Sequence, residues 1–184
     1  RLALCRARVV RGDPAFAEEV TRAVRDALLG HGWQPEVVDE ARAMRQKLEA
    51  TAGPRSLKRG PGGLADVEFA VQVLQLKHGR DRPEILTPNV WDALDALAAG
   101  RILPAEESSA LRDGYTFLRL VEARLRVVTD RPLTELPDAP DGVAKLAFRL
   151  GFAAPADFLA EFRQTTARTR AVYHALTARE RDRA

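Results

Sequence analysis

Apolar residues recur along this chain at helical spacing almost without interruption. Asp13-Pro14 reads as a helix cap followed by proline at the first helical position. Phe16, Val20, Val24, Ala27 and Leu28 then form a stripe that Gly30 closes. Val37, Val38, Ala41, Met44 and Leu48 predict a second helix over about 35–51. A third is predicted over about 64–78, ended by Gly79, and a fourth is opened by Thr87-Pro88 and closed by Gly100. The fifth, about 104–129, carries Leu111, Tyr115, Leu118, Glu122, Leu125 and Val128 on one side and is expected to bend at Gly114. Pro132, Pro137 and Pro140 make 130–141 a loop. A short sixth helix carries Val143, Leu146, Ala147 and Leu150. The last begins near Pro155 and carries Phe158, Leu159, Phe162, Thr165, Thr169, Val172, Tyr173 and Leu176. The charged tail 178–184 is expected to fray. Only the first ten residues break the pattern. Cys5, Ala7 and Val9 alternate with Arg6 and Arg8, which is strand-like, and reads as a helix end or as part of a sheet this chain does not contain. The expectation is an all-α bundle of six or seven helices with a short strand-like N-terminal remnant.

Composition narrows the functional classes. The 184 residues are 46% hydrophobic and 30% charged, a globular balance, and a chain of this length builds a core without disulfide or metal. A single cysteine, Cys5, excludes an internal disulfide. No apolar run approaches a membrane span and no signal peptide opens the chain, so a cytoplasmic protein is expected. The opening at Arg1 rather than Met reads as a piece of something longer. The net charge is +3, and only four of 29 basic residues are lysines, yet acids are interspersed among the arginines. No basic stripe marks a nucleic-acid partner.

The most informative stretch is Leu57-Lys58-Arg59-Gly60-Pro61-Gly62-Gly63-Leu64-Ala65-Asp66-Val67-Glu68-Phe69. Two cations precede a glycine-rich turn that runs straight into a helix. Free N–H groups at the helix start, with no side chains in the way, suit an anion such as a phosphate, and Lys58, Arg59, Gly60, Gly62 and Gly63 are its candidate residues. The competing reading is a turn and nothing more. Asp66 and Glu68, two apart on a helix, point about 200° away from each other and cannot share a metal or a proton. Glu68, Gln72 and Gln75 form a polar ridge that either faces solvent or needs buried partners. His31, His78 and His174 lack metal-ligand spacing, and the serines lack a nucleophile motif. The residues themselves offer neither a catalytic set nor a metal site.

The stretch from Leu57 to Gln72 resembles the K-x-G-x-G-G-[IL]-x-D-[IV]-E-F-x-[VA]-Q signature of the glutamine synthetase adenylyltransferases. Leu4-Cys5-Arg6-Ala7-Arg8-Val9-Val10-Arg11-Gly12-Asp13 is similar to their L-x-[RK]-A-R-x-V-x-G-D segment, and Met44-Arg45-Gln46-Lys47-Leu48-Glu49 to their M-R-x-[RK]-[IL]-E helix. Tyr115-Thr116-Phe117-Leu118-Arg119-Leu120-Val121-Glu122-Ala123-Arg124-Leu125 is similar to their Y-x-F-L-R-x-x-E-x-R-L. Leu133-Thr134-Glu135-Leu136-Pro137, then Leu146 to Gly151, follow in the family's order. Ala65 and Ala123 depart from many relatives, which carry Arg or Val and His there.

The resemblance implies a module. Family members have two similar halves, each pairing a nucleotidyltransferase domain, whose G-S-x-x-D-x-D motif holds magnesium and ATP, with a following helical domain. That motif is absent from this sequence. Residues 1–13 are then expected to be the tail of the nucleotidyltransferase domain and 14–184 the helical domain, inactive alone. The implied partners are the upstream domain, glutamine synthetase and the PII regulatory protein. Pro61-Gly62-Gly63-Leu64 and Thr87-Pro88-Asn89 look more like the second, adenylylating half. Lys58 to Gly63 would contact phosphate or the domain interface, with Asp66, Glu68 and Gln72 as the polar part of the motif. A stand-alone adaptor binding protein or nucleic acid is the alternative.

Overall fold

The third helix organises the molecule, because it has no polar face to give to water. In the computed structural model, which describes residues 1–129 and 134–182, it spans Leu64–His78 and buries twelve of its fifteen residues. We label the helices α1 (Pro14–Leu29), α2 (Glu36–Ala50), α3 (Leu64–His78), α4 (Val90–Ala99), α5 (Ala105–Thr129), α6 (Pro140–Arg149) and α7 (Pro155–Asp182). A helix with apolar residues on every side must sit inside, and the polar side chains it takes with it then need partners. α2, α4, α5 and α7 surround α3, and α7 also packs on α2, α5 and α6. The core joins Val67, Val73 and Leu74 of α3 to Leu94 and Leu97 of α4, Leu111 and Leu118 of α5, and Phe158 and Leu176 of α7. The all-α expectation holds, and among the described residues no helix is long and apolar enough to cross a membrane.

Local signals act where the sequence places them. Asp13 Oδ1 accepts the Ala15 and Phe16 N–H groups at 2.9 and 3.3 Å, ahead of Pro14. Asn89 caps α4 through the Trp91 N–H at 2.9 Å. Gly114 serves packing: a side chain there would meet Thr169 Oγ1 of α7 at 2.4 Å, so its absence lets α5 and α7 approach closely.

Four expectations are corrected. The N-terminal segment is not strand-like at its start: Leu2–Arg6 form a 3₁₀ helix against α3. With three residues per turn, Leu2 and Cys5 fall on one side, and Cys5 is buried. The tail does not fray at Ala178, because α7 continues to Asp182 and buries Thr177 and Glu180. Met44 is half-exposed, and Arg45 takes the inward position. The α1 stripe is mostly open, with Leu28 alone buried. Asp130, Arg131, Pro132 and Leu133, part of the expected loop, lie outside the described residues.

Candidate functional site

The glycine-rich loop between α2 and α3 is folded on itself before it meets anything else. Gly60 N–H donates to Ser56 O at 3.1 Å and Gly63 N–H to Gly60 O at 3.0 Å. Gly62 has φ +69°, the left-handed region that favours glycine, and a side chain there would overlap Thr166 O of α7. The loop therefore lies backbone to backbone against α7. Its far flank is tied to the chain before α6, through Leu57 N–H to Thr134 O at 2.8 Å and Leu136 N–H to Arg55 O at 3.1 Å.

The first N–H groups of α3 are then accounted for. Leu64 donates to Leu57 O at 2.9 Å, Ala65 to Lys58 O at 2.9 Å and Asp66 to Gly63 O at 3.0 Å, while Gly62 N–H donates to Asp66 Oδ2 at 2.7 Å. The backbone donors on which an anion site would rest are taken by the loop's own carbonyls and by Asp66. Lys58, Arg59 and Pro61 stay exposed at the rim, and Gly60, Gly62 and Gly63 are buried.

Beneath the loop lies a closed set of four charges. Asp66, fully buried, pairs with Arg45 Nε of α2 through Oδ1 and with Arg170 Nη1 of α7 at 3.1 and 3.2 Å. Glu49 Oε2 completes it, 3.1 Å from Arg45 and 2.9 Å from Arg170. Arg45 is only 1% exposed and also donates from Nη2 to Gly60 O at 2.7 Å. Two cations and two carboxylates cancel, which lets the Arg45–Asp66 pair stay buried while Glu49 and Arg170 keep about a quarter of their side chains in solvent. Burial and then the Asp66 carboxylate push the neighbouring Tyr173 hydroxyl up to about 12.

The rest of the polar motif faces elsewhere. Glu68 Oε1 pairs with Arg6 Nη1 of the N-terminal 3₁₀ helix at 2.7 Å. Gln72 is buried, and Gln75 Nε2 donates to Ile85 O and Thr87 O, both at 2.8 Å. The ridge is thus covered by flanking segments rather than by solvent. Asp66 and Glu68 do diverge, one toward α2 and α7, the other toward the N-terminus. Arg45 and Glu49 stand four apart within the M-R-x-[RK]-[IL]-E segment, but nothing in the sequence joined them to Asp66, and Arg170 was not singled out.

A family model described as GlnD PII-uridylyltransferase matches residues 36–179, the whole of the bundle from α2 into α7. The chain belongs to this family. The bifunctional glutamine synthetase adenylyltransferase/adenylyl-removing enzyme of Streptomyces coelicolor is 36% identical over 157 residues, covering 81% of this chain and 15% of that protein. The proteins of that name from Mycolicibacterium smegmatis and Mycobacterium avium are 39% and 40% identical over 150 and 147 residues, covering 77% and 76% of this chain and 15% and 14% of theirs. The likeness expected from the motifs is borne out. The chain spans about 15% of the length of the curated relatives it matches.

Proposed function

We infer that this chain is the helical module of a glutamine synthetase adenylyltransferase, working beside a nucleotidyltransferase domain of the same polypeptide. The parent would carry AMP from ATP to a tyrosine of glutamine synthetase and remove it again. Magnesium and ATP belong to the nucleotidyltransferase domain, PII sets the balance, and glutamine synthetase is the substrate. The stand-alone adaptor reading is not favoured, since relatives named for the enzyme match over most of the chain.

One observation carries the role assigned to the glycine loop. Buried Arg45 and Asp66, their part-buried partners Glu49 and Arg170, and α7 hold its inner side, while Lys58 and Arg59 are left exposed at the rim. With the backbone donors already used, the loop acts as a domain interface rather than as a phosphate cradle. The two cations meet acidic groups of the nucleotidyltransferase domain. The test is Lys58→Ala with Arg59→Ala in the parent polypeptide. The melting temperature should stay within about 2 °C of wild type, since exposed side chains contribute little to stability. AMP transfer to glutamine synthetase should slow, with the KM for ATP unchanged. A rise in that KM alone would instead support phosphate contact, and wild-type kinetics would remove any role for the rim.

A further inference from the structure

The second half of α5 presents a face that, among the described residues, the bundle touches only at its N-terminal end, where Trp91 Nε1 of α4 donates to Thr116 Oγ1 at 2.9 Å. Its inner side is Tyr115, Leu118, Val121 and Leu125, all buried. Thr116, Leu120, Ala123 and Val127 lie on the opposite side at i, i+4, i+7 and i+11, one ridge along the helix. Leu120 is 45% exposed and Val127 81%. Cations flank the ridge on both sides. Arg124 lies along one edge, where no carboxylate among the described residues pairs with it. Arg119 and Arg126 lie along the other.

The only acid within residues 116–127 is Glu122, and it is buried. It accepts from Arg119 Nη1 at 2.7 Å through Oε2 and from Arg126 Nη2 at 2.9 Å through Oε1. Each arginine reaches back to one carboxylate, so both are held in place along the ridge before any partner arrives, which lowers the ordering cost of binding.

We propose that this face of α5 docks an acidic amphipathic helix of a partner protein. The apolar ridge takes the partner's apolar seam, and Arg119, Arg124 and Arg126 take carboxylates on its two flanks. A small anion fits poorly: Arg119 and Arg126, on one flank, already converge on Glu122, and Arg124 cannot join them across a helix about 10 Å wide. A second copy fits poorly as well, because a two-fold contact would set arginines against arginines. The inference is independent of the role given to the glycine loop.

The test uses a synthetic helical peptide of roughly four turns, with leucines at helical spacing and glutamates on both flanks, titrated into this chain. Binding should shift the methyl resonances of Leu120 and Val127, leave those of Val20 and Val24 in place, and weaken as salt is raised. Leu120→Asp with Val127→Asp should weaken it about tenfold or more with an unchanged melting curve, since both positions are exposed. Equal binding by a scrambled or a lysine-flanked peptide would overturn the proposal, as would a double variant that binds like wild type. Self-association abolished by the same double variant would assign the face to a second copy instead. Binding to this chain but not to the parent polypeptide would show that the parent itself covers the face, and would equally overturn it.

Discussion

α3 and α1 are nearly the same length, 15 and 16 residues, and α1 has the stronger N-cap, Asp13 against Gly63. Yet α3 buries twelve side chains and α1 buries one. The difference is supply of partners. α3 is enclosed by four helices, the N-terminal 3₁₀ helix and a second 3₁₀ turn at Pro83–Ile85, whereas α1 makes its main contact with the N-terminal 3₁₀ helix alone. Leu28 joins Cys5, Val37 and Leu76 in a small satellite cluster, and Phe16 at the other end is left 62% exposed. An amphipathic stripe states that a helix wants a partner without saying that this chain provides one. The family match begins at residue 36, past α1, and covers the enclosed helices.

If enclosure is what matters, the largest effect should come from the charge at the start of α3. Asp66→Ala strands Arg45 in the interior and frees the Gly62 N–H, and breaking a buried pair costs about 3–5 kcal/mol. At about 3 °C per kcal/mol for a chain this size, the melting temperature should fall by roughly 10 °C, read by circular dichroism. A loss under about 2 °C would mean that the hub adds nothing to the enclosure. Leu74→Ala, at a fully buried position of the same helix, should cost about 2–5 kcal/mol, a fall of roughly 9 °C.

A smaller, pH-dependent effect is expected where α7 closes over the end of α3. Burial pushes the Glu180 carboxyl up, but His78, Lys77 and Arg179 outweigh it and bring the group from 4.5 down to about 2. A group depressed in the fold stabilises fully above its unfolded value and loses that contribution as pH falls through its folded one. The melting temperature should therefore decline between pH 4.5 and 2. Glu180→Gln should melt lower at neutral pH and show a flatter decline over that window. Parallel curves for the two proteins would detach Glu180 from stability. The smallest effect belongs to α1: Phe16→Ala should change stability by no more than about 0.5 kcal/mol, within roughly 2 °C. A loss comparable to that of Leu74→Ala would show that α1 is enclosed in solution after all.

The helices were legible because each carries its own punctuation. α3 begins and ends where the glycines on either side of it, Gly63 and Gly79, placed it. The N-terminal 3₁₀ helix was not, since a period of three over five residues leaves too little pattern to separate from alternation. At the site, the glycine loop and Asp66 stood out in the sequence, but their relation did not. Asp66 finds Arg170 104 residues away, and no local spacing encodes that meeting. Arg45 was hidden by its neighbour, because Met44 is the residue a hydrophobic stripe would choose, although α2 turns the guanidinium inward.

The distance between Asp66 and Arg170 also sets an order of events during synthesis. A ribosome adding about 5–20 residues per second takes roughly 5–20 s to travel from one to the other. Through that interval α2, α3 and the glycine loop have been translated, and Arg45 is the only arginine of the hub yet made. The carbonyl of Thr166, against which Gly62 lies, is also still missing. The nascent chain thus sets two carboxylates of the hub, Glu49 and Asp66, against one arginine, and leaves the apolar α3 uncovered, until its last long helix appears. A ribosome-stalled chain ending before Arg170 should accordingly be cleaved by protease around Gly60 to Gly63, a region that the finished protein protects.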